Sequence, residues 1–257
     1  MNALELRQLS VQYGGVRALD GVDLDVPAGS LIGLIGPNGA GKTTLIDAAT
    51  GFAPATGRVV LEGQDISALP AHRRARLGIS RTWQGVELFS ELSVRDNVRV
   101  ATERPSLLGL LADAVRPWRG QPRPSVDAAL DLVGISHLAD ARPGELPAGH
   151  QKLVGIARGL ASDGRVVFLD EPAAGLDHSE SDVLSSHLRR VVDAGVAVLL
   201  VEHDMRLVFA ISDRVAVLEQ GRLIAEGRPD DVRQDPAVIA AYLGTSVAVE
   251  TTLEANP

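Results

Sequence analysis

A chain of 257 residues, 45% apolar and 23% charged, has room for one large domain or for a core domain carrying a subdomain. Its net charge of -8 argues against nucleic acid as a partner, because neutralising phosphates favours a basic surface. The chain has no cysteine for a disulfide or thiolate metal site, no apolar stretch near the roughly 18 residues of a membrane-spanning helix, and no basic-then-apolar leader in "MNALELRQLS", which points to the cytoplasm.

From residue 4 to 35, short apolar and alternating pieces predict strands: "LELRQLSVQY", "VRALDGVDLDV" and "SLIGLI", punctuated by Gly14, Gly15, Pro27 and Gly29. The glycine-rich stretch "GPNGAGKTT" follows at 36–44. After it, "TTLIDAAT" predicts a helix stopped at Gly51, and "GRVVLEG" another strand. The basic run "AHRRARLGISR" at 71–81 reads as a solvated helix face ahead of a partner-binding patch. From about 91 to 160 the pattern is helical and loop-rich, with "SVRDNVRVAT", "SVDAALDLVG" and "QKLVGIARGLA". Within it, Leu107, Leu108, Leu111, Val115 and Trp118 share one helical face, though Gly109 and Pro117 weaken the helix. That face is read as packing on the insert rather than on a membrane partner. Two nearly all-apolar runs, "RVVFLD" and "VAVLLVE", then flank the helical segment "SESDVLSSHLRRVVDAG".

Strands apolar on both faces and separated by helices indicate a parallel sheet covered on each side. The expected fold is therefore α/β: a core over 1–90 and 161–243, interrupted by a helical insert over about 91–160. The domain is expected to end near 245, with 246–257 a fraying tail.

Gly36, Gly41, Lys42 and Thr43 meet the pattern G-x-x-x-x-G-K-[ST], between an apolar strand and a helix. Glycines let successive N–H groups converge on an anion, and the helix adds the positive end of its dipole. Lys42 can reach β- and γ-phosphate oxygens, and the Thr43 hydroxyl can ligate Mg²⁺. The loop is read as wrapping a nucleoside triphosphate. "VVFLDEP" ends a strand on Asp170 and Glu171, at the end of the sheet where ligands bind in such folds. Asp170 suits a Mg²⁺ partner and Glu171 a base for the attacking water. His203 ends the second apolar strand and could bond the γ-phosphate.

"GPNGAGKTT", "RTWQ", "ELPAGHQK", "VVFLDEPAAGLD" and "VEHD" follow in order over residues 4 to about 243. The chain resembles the ATP-binding subunit of an ABC transporter, most of all those of branched-chain amino acid importers. The resemblance implies a P-loop NTPase core with an antiparallel β-subdomain and a helical insert. It implies that Tyr13 stacks on adenine and that Gly36, Pro37, Asn38, Gly39, Ala40, Gly41, Lys42, Thr43 and Thr44 hold the phosphates of ATP. Thr43, Gln84 and Asp170 would serve Mg²⁺, with Gln84 also sensing the membrane subunit. Glu171 and His203 would serve hydrolysis. Asp177 would lie where two ATPase subunits meet, and Leu88 and Phe89 would line the groove for a coupling helix. The implied partners are membrane-spanning permease subunits, a second ATPase subunit and, indirectly, an external solute-binding protein, with no nucleic acid. The implied location is the cytoplasmic face of the cell membrane.

The family's usual "LSGGQ" is here "LPAGH", Leu146 to His150. Pro147 replaces a serine that reaches the opposite subunit's γ-phosphate, and His150 replaces a glutamine. Beside Ala148, what remains is Gly149 and the backbone N–H groups at a helix start near Gly149. Trp83 stands where phenylalanine is usual. A soluble ABC ATPase acting on nucleic acid or ribosomes is the rival reading, and a regulatory module without turnover the third.

Overall fold

Gly14 and Gly15 turn between two twelve-residue strands, β1 (Asn2–Tyr13) and β2 (Val16–Pro27), which pair antiparallel. The computed structural model describes residues 1–82, 88–102, 126–162 and 164–242. Next come β3 (Leu31–Ile35), α1 (Lys42–Thr50), β4 (Thr56–Leu61) and the two-residue β5 (Gln64–Asp65). Together β2-β1-β4-β5 form an antiparallel sheet. Helix α2 (Ala71–Arg76) and β6 (Ile79–Arg81) follow. The insert contributes α3 (Val94–Thr102), α4 (Val126–Leu132) and α5 (Ala148–Ala161). The chain then returns through β7 (Val166–Asp170), α6 (His178–Asp193), β8 (Ala197–Val201) and α7 (Met205–Ile211). It closes on β9 (Arg214–Glu219), β10 (Arg222–Gly227) and α8 (Pro229–Arg233). Residues 236–242 are again helical.

The larger sheet runs β10-β9-β3-β8-β7-β6, parallel throughout except for the β9–β10 hairpin. Every residue of β3, β7 and β8 is buried, as central strands covered on both faces must be. Alternation divides their side chains between two layers. Ile32, Leu34, Val166, Phe168 and Leu199 pack against α1 and the antiparallel sheet. Leu31, Val167, Leu169, Val198 and Leu200 face α5, α6 and the insert. A third cluster joins Ile35, Val215 and Val217 to Val208, Val232 and Val238, with Tyr242 packed at its edge. The Tyr242 phenol lies against the Gly36 backbone, a contact that offsets part of the upward push burial gives it.

The reading of 71–81 as a solvated face is corrected in part. Arg73 and Arg76 are exposed, but Arg74 is 5% exposed. It donates to the Ala48 and Ala49 carbonyls at 2.9 Å, and to Leu69 and Ser67 at 2.8 and 2.7 Å. The last carbonyls of α1 have no partner within the helix, so a guanidinium fork that meets them is held inside. The helix near the "LPAGH" segment begins at Ala148 with Pro147 as its cap, one residue before the expected start. The apolar face at 107–118, Trp83 and the C-terminal tail lie outside the described residues. Among the described residues, no helix is long and apolar enough to cross a membrane.

Candidate nucleotide site

The loop between β3 and α1 depends on glycine at two positions. Gly36, at φ 153°, passes so close to β9 that an added Cβ would lie 2.0 Å from the Leu218 carbonyl. Gly41, at φ 104°, is the cap residue of α1, and a Cβ there would lie 2.6 Å from the Ala18 carbonyl. No side chain caps α1, so its first N–H groups face outward beside the exposed Asn38 and Gly39. This is an anion cradle at the positive end of a helix. Lys42 is 7% exposed, with Nζ 2.6 Å from the Gly36 carbonyl and 3.1 Å from that of Pro37. Burial pushes its ammonium group downward, and the Glu171 and Asp170 charges oppose that push. Thr43 is exposed on the first turn, with Thr44 beside it.

Adjacent strands deliver the acidic and imidazole groups to the same edge. Asp170 ends β7 at 2% exposure, with Oδ2 3.2 Å from an Arg81 nitrogen. Arg81 also pairs with Asp47 of α1. The second Asp170 oxygen is buried, with no hydrogen-bond partner among the described residues. Burial pushes this carboxyl above its usual range, and Arg81 pulls it back. Glu171 adopts φ 52°, an uncommon backbone for a residue with a side chain, and so turns out of the strand direction. His203 Nε2 then lies 2.6 Å from Glu171 Oε1. Lys42, Asp170, Glu171 and His203 thus gather at the carboxyl ends of β3, β7 and β8.

A second cluster occupies other surface. Pro147 and Ala148 are exposed at the start of α5, with Gly149 and His150 half-buried behind them. A Cβ on Gly149 would lie 3.8 Å from Glu180, on the first turn of α6. Asp177 caps that helix, accepting from the Glu180 N–H at 2.8 Å. The N–H bond and the Ser179 hydroxyl hold the Asp177 carboxyl below its usual range. Tyr13 is 49% exposed at the tip of the β1–β2 hairpin. Gln84 lies outside the described residues.

A groove of about 900 Å³ opens between α2 and α5, lined by Phe52, Ala71, His72, Leu88, Phe89 and Arg158 among others. Phe52 and Phe89 are 58% and 49% exposed there, large apolar rings facing water. The Arg158 guanidinium lies 5.6 Å from the Phe89 ring centroid. Asn97, wholly buried, accepts from the Phe89 N–H at 2.9 Å and donates to its carbonyl at 3.0 Å, pinning the ring's backbone.

The sequence assigns no role to Arg81 or Asn97, nor to Lys152 of α5 and Glu202, which follows β8. Arg81 belongs to the basic run read as solvated, and Asn97 and Lys152 to helical segments. Glu202 stood within "VEHD" beside the histidine. Glu202 directly follows the all-apolar β8, as Asp170 ends β7, and a carboxylate at that position is a signal in its own right.

A glycine-lined anion cradle at a helix start, a strand-end carboxylate pair and a strand-end histidine on this sheet define a P-loop nucleotide hydrolase with a helical insert. The sequence profile described as ABC transporter matches residues 19–174, and the chain belongs to that family, as an ATP-hydrolysing subunit. The profile described as branched-chain amino acid ATP-binding cassette transporter matches residues 222–248. The chain is 40% identical to the high-affinity branched-chain amino acid transport ATP-binding protein BraF of Pseudomonas aeruginosa, over 94% of this chain and 97% of that one. It is 38% identical to LivG of Escherichia coli K12, a protein of the same description, over the same shares. A nucleotide-free ATP-binding cassette from an ABC transporter superposes with a TM-score of 0.80 at 32% identity, covering 94% of this chain and 99% of that one.

Proposed function

We propose that this chain is the motor subunit of an importer for branched-chain amino acids or related small solutes, working as one of a pair of cassettes. The observation that carries the pairing is the division of the site. The phosphate cradle with Asp170, Glu171 and His203 forms one cluster, while Pro147 to His150 and Asp177 form another at the starts of α5 and α6. Two cassettes placed head to tail bring the first cluster of each to the second of the other, with ATP between them. Pairing is then favoured with ATP bound and lost after hydrolysis, a switch driven by differential affinity for the two states.

Within the site, backbone N–H groups of the loop through Thr44 receive the phosphates, and Tyr13 offers a ring to the adenine. Lys42 turns from the loop carbonyls to the phosphate oxygens. Thr43 and Asp170 would hold Mg²⁺, to which the partnerless buried Asp170 oxygen is suited, and Gln84 would join them. That ion would neutralise developing phosphate charge. Glu171 accepts a proton from the attacking water, and His203 holds the Glu171 carboxylate and the γ-phosphate side of the site in register.

The groove holding Phe52, Leu88 and Phe89 suits an apolar helical projection from a membrane-spanning permease subunit, and the chain would then work at the cytoplasmic face of the membrane. An external solute-binding protein would deliver the solute to that permease. Purification from native membranes tests the assignment. Recovery with permease subunits is the expected result; recovery with nucleic acid or ribosomes would overturn it in favour of a soluble ABC ATPase.

Pro147 makes a sharper test. At φ -55° it occupies a cap position whose backbone suits serine equally well. Pro147→Ser adds a hydroxyl facing the partner's ATP, and one charge-assisted bond contributes about 1.5–3 kcal/mol. ATP-dependent pairing, measured by sedimentation, should tighten by about tenfold or more. A higher melting temperature with unchanged pairing would mean that the hydroxyl caps its own helix instead.

A further inference from the structure

The parallel ladder between β7 and β8 reaches Asp170 opposite Val201, and the Glu171 N–H still donates to the Val201 carbonyl at 2.9 Å. Past that rung the two chains diverge, Glu171 through its left-handed turn into 172–176 and His203 toward α7. What bridges the gap is a side chain. Glu202 is 5% exposed, and its Oε1 accepts from the Ala173 N–H at 2.5 Å while Oε2 accepts from the His203 N–H at 3.2 Å. One carboxylate therefore does across the gap what ladder bonds do within the sheet.

The same loop is held from its other side. Lys152, on the second turn of α5, donates to the Ala174 carbonyl, so adjacent residues are gripped by charges from two different elements. Internal turns stiffen the segment further, from the Ala174 N–H to the Glu171 carbonyl at 3.2 Å and from Leu176 to Ala173 at 3.0 Å. Burying a carboxylate in this place is costly, and its proton affinity is raised by burial despite the two N–H donors. A fold does not need an ionisable group to satisfy two amides, so the position calls for a role beyond packing.

We infer that Glu202 is a positioning residue for ATP hydrolysis: by tying the Ala173 and His203 amides together it fixes the Glu171–His203 pair, and through Lys152 it links that pair to α5. This rests on the assignment of Glu171 and His203 given above. The pair's 2.6 Å contact spans two strand ends that no backbone bond joins beyond Glu171. Misplacing a reacting group by 1 Å can cost about 10²-fold in rate. The arm through Lys152 starts two residues after His150, so a partner's ATP on Pro147 to His150 presses on the helix that holds the loop.

Steady-state ATP hydrolysis by the full chain tests the inference, with thermal unfolding followed in parallel. Glu202→Ala should lower kcat by about tenfold or more and leave KM for ATP within about twofold. Glu202→Gln, which keeps one acceptor, should fall between it and the native chain. In a His203→Ala background the further loss from Glu202→Ala should shrink to about twofold or less, because both changes release the same pair. An unchanged kcat in a folded Glu202→Ala protein, or an equal loss in both backgrounds, would overturn the inference. Should Glu202→Ala not fold, Glu202→Gln is held to the same two criteria. Loss of turnover in Glu171→Gln alongside a native rate in the Glu202 variants sinks this inference alone, whereas turnover retained in Glu171→Gln sinks the reading beneath it.

Discussion

Replacing Glu171 with glutamine should lower turnover by about 10²–10⁴-fold while ATP still binds. The amide has the same shape and keeps an oxygen facing the His203 ring, so the 2.6 Å contact survives with the ring as donor. It cannot accept a proton from water. The left-handed backbone at φ 52° that aims this side chain is a property of the loop and does not depend on charge. Bound ATP should then accumulate and hold two cassettes together, so phosphate release falls while the paired form rises on sedimentation. Hydrolysis at the native rate would remove Glu171 from the role of base.

Lys42→Ala should weaken ATP binding by about two decades or more, since charge-assisted hydrogen bonds contribute about 1.5–3 kcal/mol each and 1.4 kcal/mol is tenfold. The expected loss has a second source. Lys42 is a cation whose charge acts on both Asp170 and Glu171 at this edge, and without it the triphosphate approaches carboxylates less compensated than before. The loss is smaller than a naive sum, because the native ammonium must leave the Gly36 and Pro37 carbonyls before it serves phosphate. Calorimetric titration reads the change directly. Tight binding by the alanine variant would mean that the backbone amides of the loop suffice.

The core strands were legible because burial on both faces leaves a mark that a single chain shows: "LIGLI", "VVFLD" and "VAVLLV" tolerate no charge until the strand ends. The phosphate loop was legible because its glycines stand at fixed spacing before Lys42 and Thr43, even though the need for Gly36, its closeness to Leu218, is tertiary. Arg74 and Arg81 were not, because in sequence a buried guanidinium and a solvated one look alike. What separates them is tertiary: the unfinished carbonyls of α1 for Arg74, and the Asp47–Asp170 pair for Arg81. The two-residue β5 is held by the hairpin it closes, and no propensity scale marks it. Asn97 lies in a polar helical stretch, where its burial depends on the Phe89 backbone folding over it.

Tyr242 gives the far end of the fold a stake in the nucleotide. Its ring rests beside the first glycine of the phosphate loop, some two hundred positions away along the chain. Shortening a polypeptide from its carboxyl end is ordinarily the mildest of edits. Here, a cut made before this tyrosine would strip the outer wall from Ile35 and leave the Gly36 amide to water. Losing that wall would bear on the first residue of the phosphate loop, and through it on the cradle.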